Sequence, residues 1–356
     1  MWMRHKLRKI QSLLKKIGLD GFLIGIGCMI FLAWCAPTIG ERDSVYPFHA
    51  VATYGVSGIF FFYGMGLGWQ KLRDGVRLWR LHLVVQFSIF VLFPLLVLGL
   101  YEIFATPMYA TLWIGIFYVS ALPSTVSSSV VMVSIARGNV PAAIFNTSLS
   151  SVLGVFVTPA WMGIFLQRTD IPIDPIRAIG LISLQVLLPM AIGAALHPYF
   201  GAAIERHRKT TRLFDQTVVL VIVYTSFCDS FASGAFALFR PRTLGELGVG
   251  IVLLFFIVYG IISIICKRLR FNREDSITAK FCGSKKSLTH GTAIASALFT
   301  DRSSVGVILL PIMLYHAIQL IIVSIIAQKH ARAAASVPSI AVTGATIGRG
   351  DSPTAR

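Results

Sequence analysis

The stretch FCGSKKSLTHGTAIASALF, residues 281–299, decides the fold of this chain. It closes an apolar window, 276–299, as long as the roughly 20 residues that carry a helix across a bilayer. Yet Gly283, Ser284, Lys285, Lys286, Ser287, Thr289, His290 and Gly291 fall at the middle of that window. A second window, 111–136, holds the same contradiction at ALPSTVSSSVV (121–131), where Pro123 is followed by Ser124, Thr125, Ser127, Ser128 and Ser129. Irregular, polar backbone at membrane depth is tolerated only where protein buries it or where it lines a cavity. Both windows are therefore expected to be helices interrupted halfway.

Outward from these two, the same ruler finds ten windows: 19–36, 50–68, 80–101, 111–136, 140–166, 177–200, 216–238, 245–266, 276–299 and 303–327. Of the 356 residues, 55% are apolar and only 13% charged, and the mean hydropathy is +0.75. Soluble domains carry roughly 25% charged residues. The composition excludes a soluble enzyme, a disordered chain and a disulfide-rich secreted domain. Strands of a β-barrel would be shorter and would alternate apolar with polar. The interrupted windows are fourth and ninth, the same place in two halves of five. Five is odd, so the second half starts on the opposite side of the membrane. The expected fold is an all-α membrane protein of ten transmembrane helices in two inverted five-helix repeats, with helices 4 and 9 interrupted. Matched interruptions in inverted halves point to the binding site of a secondary transporter.

The charge pattern orients the chain. The net charge is +17. With the N-terminus inside, the inner segments carry Lys71, Arg73, Arg77, Arg206, Arg208, Lys209, Arg212, Lys267, Arg268, Arg270 and Arg273, plus six basic residues before Gly18. The outer loops carry only Arg42, Arg168, Arg177, Arg240, Arg242 and Arg302, mostly beside Asp43, Asp170, Asp174 or Asp301. This is the positive-inside asymmetry. It places both termini in the cytoplasm and the chain in the cell inner membrane, and makes nucleic acid an unneeded partner. Residues 1–18 read as a basic cytoplasmic N-terminus leading into a retained first helix. Residues 19–166 and 177–327 are the two repeats, and 329–356 a disordered cytoplasmic tail. Cys28, Cys35, Cys228, Cys266 and Cys282 show no metal spacing and read as reduced, buried hydrophobes.

A broken helix exposes orphan N–H groups on one half and orphan C=O groups on the other. The first attract anions and the second cations. Hydroxyl and amide oxygens suited to sodium are present in Gln86, Ser127, Ser128, Ser129, Asn146 and Thr147, with Ser150 and Ser151 on the same helical face as Asn146. The competing reading of these groups is helix–helix packing. Lys285 and Lys286 admit three readings, since a lysine at the midplane is expensive. The pair holds an anionic substrate; or one ammonium takes the place of a coupling cation among carbonyls and hydroxyls; or window 9 lies near water. Neighbours on a helix point about 100° apart, so both reach one cavity only if the backbone is unwound. Asp229 is the one carboxylate clearly inside a window, set either to pair with a lysine or to face an outer vestibule. His82, His197 and His316 read as structural groups, while His290 sits in the interruption itself. No nucleophile is paired with a base, so no catalytic residues are expected.

Three stretches resemble a known family. ARGNVPAAIFNTSLSSVLGVFVTP (136–159), preceded by LPSTVSSSVVMVS, resembles the bile acid:sodium symporter superfamily. LHLVVQFSIFVLFPLL (81–96) and residues 281–299 resemble its bacterial branch, related to the seventh member of human solute carrier family 10. The resemblance implies that helices 4 and 9 are unwound and cross in a core domain, with helices 1, 2, 6 and 7 as a panel. It implies inward movement of an organic anion with sodium. The first sodium site falls on Ser129, Val130, Ala143 and Thr147, of which two lack a hydroxyl; the glutamine of the second falls on Gln86. The glutamate shared by both sites has no counterpart, its place being taken by Ser284 to Lys286.

The sequence thus predicts a secondary transporter (symporter) of a small organic anion by alternating access. Gln86, Ser127, Ser128, Ser129, Asn146 and Thr147 are the cation-side candidates. Ser284, Lys285, Lys286, Ser287, Thr289, His290 and Asp229 are the substrate-binding or charge-compensating ones. Sodium is the coupling ion implied, with no cofactor and no other metal. The rivals are proton-coupled or uncoupled transport with a lysine replacing the ion, and a non-transporting regulatory protein of the same fold.

Overall fold

The computed structural model describes residues 21–41, 44–66, 78–106, 109–168, 183–237, 240–299 and 304–335. The basic N-terminus 1–18, Arg42, Asp43, Lys71, Arg73, Arg77, Asp170, Asp174, Arg177, Asp301, Arg302 and residues 336–356 lie outside the described residues.

All regular structure among the described residues is helical. The first helices are α1 (Gly21–Cys35), the single turn α2 (Pro37–Gly40) and α3 (Phe48–Met65). The helix α4 (Trp79–Phe104) widens into a π-turn at Ser88–Leu92. The chain between residues 110 and 135 forms two helices, α5 (Ala110–Ala121) and α6 (Ser127–Ile135). Then come α7 (Val140–Leu166), α8 (Leu188–Arg206), α9 (Arg208–Ala232) and α10 (Pro241–Arg268). The deciding stretch is likewise two helices, α11 (Arg273–Gly283) and α12 (Leu288–Leu298), and α13 (Val305–Ala335) ends the described chain.

Both interruptions fall where the polar runs placed them, and each has a local cause. Pro123 lacks an N–H and disfavours helix in the residue before it, so α5 ends at Ala121. Ser287 begins α12 as its cap, its Oγ accepting from the His290 N–H at 3.3 Å. Other starts follow the same chemistry. Asn139 caps α7 through Ala142 N (3.0 Å), and Asn272 caps α11 through Asp275 N (2.7 Å), with Glu274 and Asp275 in the favourable first turn.

Several boundaries differ from the sequence reading. The segment 201–215 is not a loop: α8 runs through Arg206 and α9 begins at Arg208. Charged residues are good helix formers, and apart from the turn at His207 the chain from Leu188 to Ala232 is helical, so hydropathy marks the apolar part and not the helix end. For the same reason α11 starts at Arg273, and α13 continues past Lys329 to Ala335 instead of dissolving into a tail. Cys28 and Cys35 are exposed, whereas Cys228, Cys266 and Cys282 are buried; all five are free thiols.

Among the described residues, six helices are long and apolar enough to cross a membrane: α4, α7, Leu184–Arg206, α9, α10 and Val305–Ala333. The helices pack in two groups. In one, α3 lies along α8 while α9 packs on α1 and α3. In the other, α5 packs against α7 and α13, and α11 against α4, α7 and α10. The seam between the groups is made by α12 against α3 and α9, and by α9 against α13. Gly64 and Gly193 allow the closest approach of α3 and α8, because a Cβ on either would collide with the other helix's backbone. Gly154 does the same for α7 at the first interruption, where a Cβ would lie 2.7 Å from the Pro123 ring. Gly154→Ala is expected to destabilise the protein by about 1–3 kcal/mol. An unchanged thermal midpoint in detergent would show that α7 does not clamp this interruption.

Candidate functional site

The two interruptions lie against each other. The Ser287 N–H donates to Pro123 O (2.9 Å), and Ser124 Oγ donates to Cys282 O (2.7 Å). Neighbouring helices satisfy what remains. Ser150 Oγ of α7 accepts from Ser124 N (2.8 Å), and Thr158 Oγ1 donates to Ala121 O (2.8 Å). On the other side, Gln319 of α13 brackets Lys286, its Oε1 accepting from Lys286 N and its Nε2 donating to Lys286 O, both at 2.8 Å. Tyr315 Oη donates to Ser284 O (2.6 Å), and Tyr118 Oη to Gly291 O (2.6 Å). Buried backbone needs this accounting, since an orphaned polar group costs about 1–3 kcal/mol.

Both lysines are fully buried in protein, at 0% exposure. The unwound backbone sends them to different places. Lys286 Nζ donates to Ser120 O (2.6 Å), Ile89 O (2.8 Å) and Leu122 O (2.8 Å), and sits 4.2 Å from the centre of the Phe93 ring. Each carbonyl is available for a reason visible in the chain. The helical partners of Ser120 O would be Pro123, which has no N–H, and Ser124, whose N–H goes to Ser150. Leu122 O lies inside the interruption, beyond the helical ladder. In α4 the Phe93 N–H goes back to Ser88 O across the π-turn, and Pro94 offers Ile89 no donor. Pro94 also deprives Phe90 O, which Trp161 Nε1 satisfies at 2.7 Å. All three ammonium protons of Lys286 are therefore spent on carbonyls.

Lys285 is provided for differently. Its Nζ donates to Ser128 Oγ at 2.7 Å, in the first turn of α6. Ser128 Oγ also meets Thr125 Oγ1 (2.8 Å), which meets Ser129 Oγ (2.9 Å). Neither lysine forms a salt bridge with a carboxylate among the described residues. A buried ammonium without a counter-ion is strongly disfavoured unless hydrogen bonds compensate it. Lys286 is compensated by three carbonyls and an aromatic face, Lys285 by one hydroxyl.

The remaining candidates fall into separate groups. Gln86 Nε2 donates to Asn146 O (3.0 Å) and Asn146 Oδ1 (3.4 Å), while Gln86 Oε1 is buried with no hydrogen-bond partner among the described residues. Thr147 Oγ1 returns to its own helix at Ala143 O (2.9 Å), and Ser284 Oγ to Lys280 O (2.6 Å). Ser127 begins α6. Thr289 lies in the first turn of α12. His290 stands on the seam: its ring stacks on Tyr63 of α3 (4.8 Å between centres), Nδ1 meets Ser287 Oγ (2.9 Å), and the buried Nε2 has no partner among the described residues. Asp229 does not pair with either lysine. It lies in α9 beside His49, Oδ2 to Nε2 3.5 Å, because the face of α9 that carries it packs toward the start of α3. Gln319, Tyr315 and Tyr118 were not legible as site residues; the only sign of the first was a glutamine three residues after His316 in an otherwise apolar run.

Comparison with known proteins gives a consistent picture. The sequence model of the SBF-like CPA transporter family matches residues 20–332. An uncharacterized protein of Pseudomonas aeruginosa is 38% identical over 313 residues, covering 88% of this chain and 93% of that protein. An Escherichia coli protein named "Putative symporter YfeH" is 35% identical over 316 residues, 88% of this chain and 93% of its own. Sodium/bile acid cotransporter 7-B of Xenopus laevis is 30% identical over 324 residues, 89% of this chain and 93% of its own.

Proposed function

The chain belongs to the SBF-like CPA transporter family, and from that premise we propose that it is a secondary active transporter of a small organic anion, working by alternating access around its two interrupted helices. It is a multi-pass membrane protein and a transporter rather than an enzyme. In this reading α5 with α6 is the fourth of ten spans and α11 with α12 the ninth, in two inverted five-helix repeats within the cell inner membrane, both termini inside. The group of α1, α3, α8 and α9 is the panel past which the core moves. The observation that carries the proposal is the mutual seating of the interruptions, Ser287 N on Pro123 O and Ser124 Oγ on Cys282 O.

The two lysines divide the work. Lys286 stands where a coupling cation would, its ammonium held by the same kind of carbonyl oxygens that a sodium ion would recruit. Lys285, at the N-terminal turn of α6, is the counter-charge for the anion. The reading favoured is therefore transport without an obligatory sodium at that place. The symporter and cotransporter names of the relatives keep a sodium reading alive, and Gln86 Oε1 beside Asn146 is the oxygen it would use. Thermal unfolding of the purified protein in sodium against potassium separates the two. Equal midpoints are expected in wild type, Gln86→Leu and Thr147→Ala. A sodium-specific rise that Gln86→Leu abolishes would replace the lysine reading with sodium coupling.

A further inference from the structure

Helices α3 and α8 hold between them a groove of about 280 Å³, lined by Phe61, Met65, Leu196, Phe200, Ala203 and Ile204. Every lining residue is apolar, and the volume, near the lower end of small-molecule pockets, suits a length of one hydrocarbon chain rather than a bulky ligand. The groove ends at the turn joining α8 to α9. Ile204 is two residues before Arg206, and Arg206, Arg208 and Lys209 are all exposed there. Between residues 205 and 212 four basic side chains accompany one carboxylate, Glu205. The turn is also the start of α9, a 25-residue helix with no acidic residue in its first turn and no side-chain cap. Cations at the positive end of a helix repel its macrodipole, an arrangement that an anion relieves.

A slot for a hydrocarbon chain that opens onto a cationic turn has the complementarity of an amphiphile with an anionic head. We propose that this groove is a binding site for an anionic phospholipid, one acyl chain lying between α3 and α8 and the phosphate resting on the α8–α9 turn. The site is on the panel helices, shares no residue with the interruptions, and does not depend on how transport is coupled. Its occupancy ties together the two panel helices, so lipid composition would set the stability of the panel.

The test uses the delipidated full-length protein in detergent, titrated with dioleoyl phosphatidylglycerol or with dioleoyl phosphatidylcholine, read by thermal unfolding. Phosphatidylglycerol is expected to raise the midpoint at concentrations where phosphatidylcholine does not. In the triple variant Arg206→Gln, Arg208→Gln, Lys209→Gln the half-maximal concentration should rise at least tenfold, since each basic side chain near a membrane surface is worth about fivefold in anionic-lipid affinity. Ala203→Phe, which fills the slot, should remove the shift, and glycerol 3-phosphate without acyl chains should give none. Equal shifts from the two lipids, or an undiminished shift in the triple variant, would overturn the proposal. So would a shift from glycerol 3-phosphate alone, which would make this a free phosphate site. A dimer in wild type that Ala203→Phe dissociates would also overturn it, showing that a second copy covers the groove. Should Ala203→Phe fail to fold, the triple variant on the exposed turn decides the matter.

Discussion

Replacing Lys286 with methionine is expected to unfold the crossing before it affects any transport. The three carbonyls of Ser120, Leu122 and Ile89 converge on its ammonium, and none has a helical N–H to fall back on. Methionine fills the volume and offers no donor. At about 1–3 kcal/mol for each buried acceptor left unmet, the loss is at least about 3 kcal/mol. Against a typical total of about 5–15 kcal/mol, that lowers the thermal midpoint markedly and the yield with it. Lys286→Gln, whose amide keeps two donors, should recover part of the loss. Lys286→Arg should not, because a planar guanidinium does not fit a tripod of acceptors under an aromatic ring. A midpoint unchanged in Lys286→Met would mean that the ammonium is not what holds the interruptions together.

Lys285→Met is expected to do the opposite. This ammonium has a single hydroxyl partner and no carboxylate among the described residues, so an apolar group of similar size should leave stability unchanged or raise it. What disappears is the positive charge at the first turn of α6. Removing one member of a buried, hydrogen-bonded charge pair costs about 2–5 kcal/mol, which is about 30-fold or more in anion affinity. A midpoint that holds or rises, with anion-dependent stabilisation and uptake lost, is the signature of a charge kept for binding. Loss of folding in Lys285→Met, with binding retained in whatever folds, would assign Lys285 to structure.

The opposite expectations for adjacent residues show where sequence reading stops. The interruptions were legible because proline, glycine, serine and lysine have no cheap place at the centre of an apolar window, and both were found where expected. That both lysines leave the lipid was legible for the same reason. Which lysine goes where was not, since it depends on the unwound backbone of residues 285–287 and on carbonyls from two other helices. The freeing of Ile89 O illustrates this: it needs Pro94, a π-turn and a lysine nearly 200 positions away, and none of these alone carries a signal. Gln319 escaped because a lone amide in a membrane helix reads as ordinary packing until the backbone it brackets is seen. Asp229 was the opposite case. Its charge made a lysine partner attractive, but the face of α9 that carries it points to His49. Helix ends were misjudged where charged residues continued a helix beyond its apolar part, as in α9 and α13.

The central claim is that the counter-charge for the anion belongs to the protein, on Lys285, with Lys286 in the place of a coupling cation. The most direct measurement is the current on a solid-supported membrane when proteoliposomes of the full chain meet jumps of small organic carboxylates in sodium-free potassium buffer. The account predicts carboxylate-dependent currents in wild type without sodium and none in Lys285→Met. Currents that require sodium, or that persist unchanged in Lys285→Met, would contradict it.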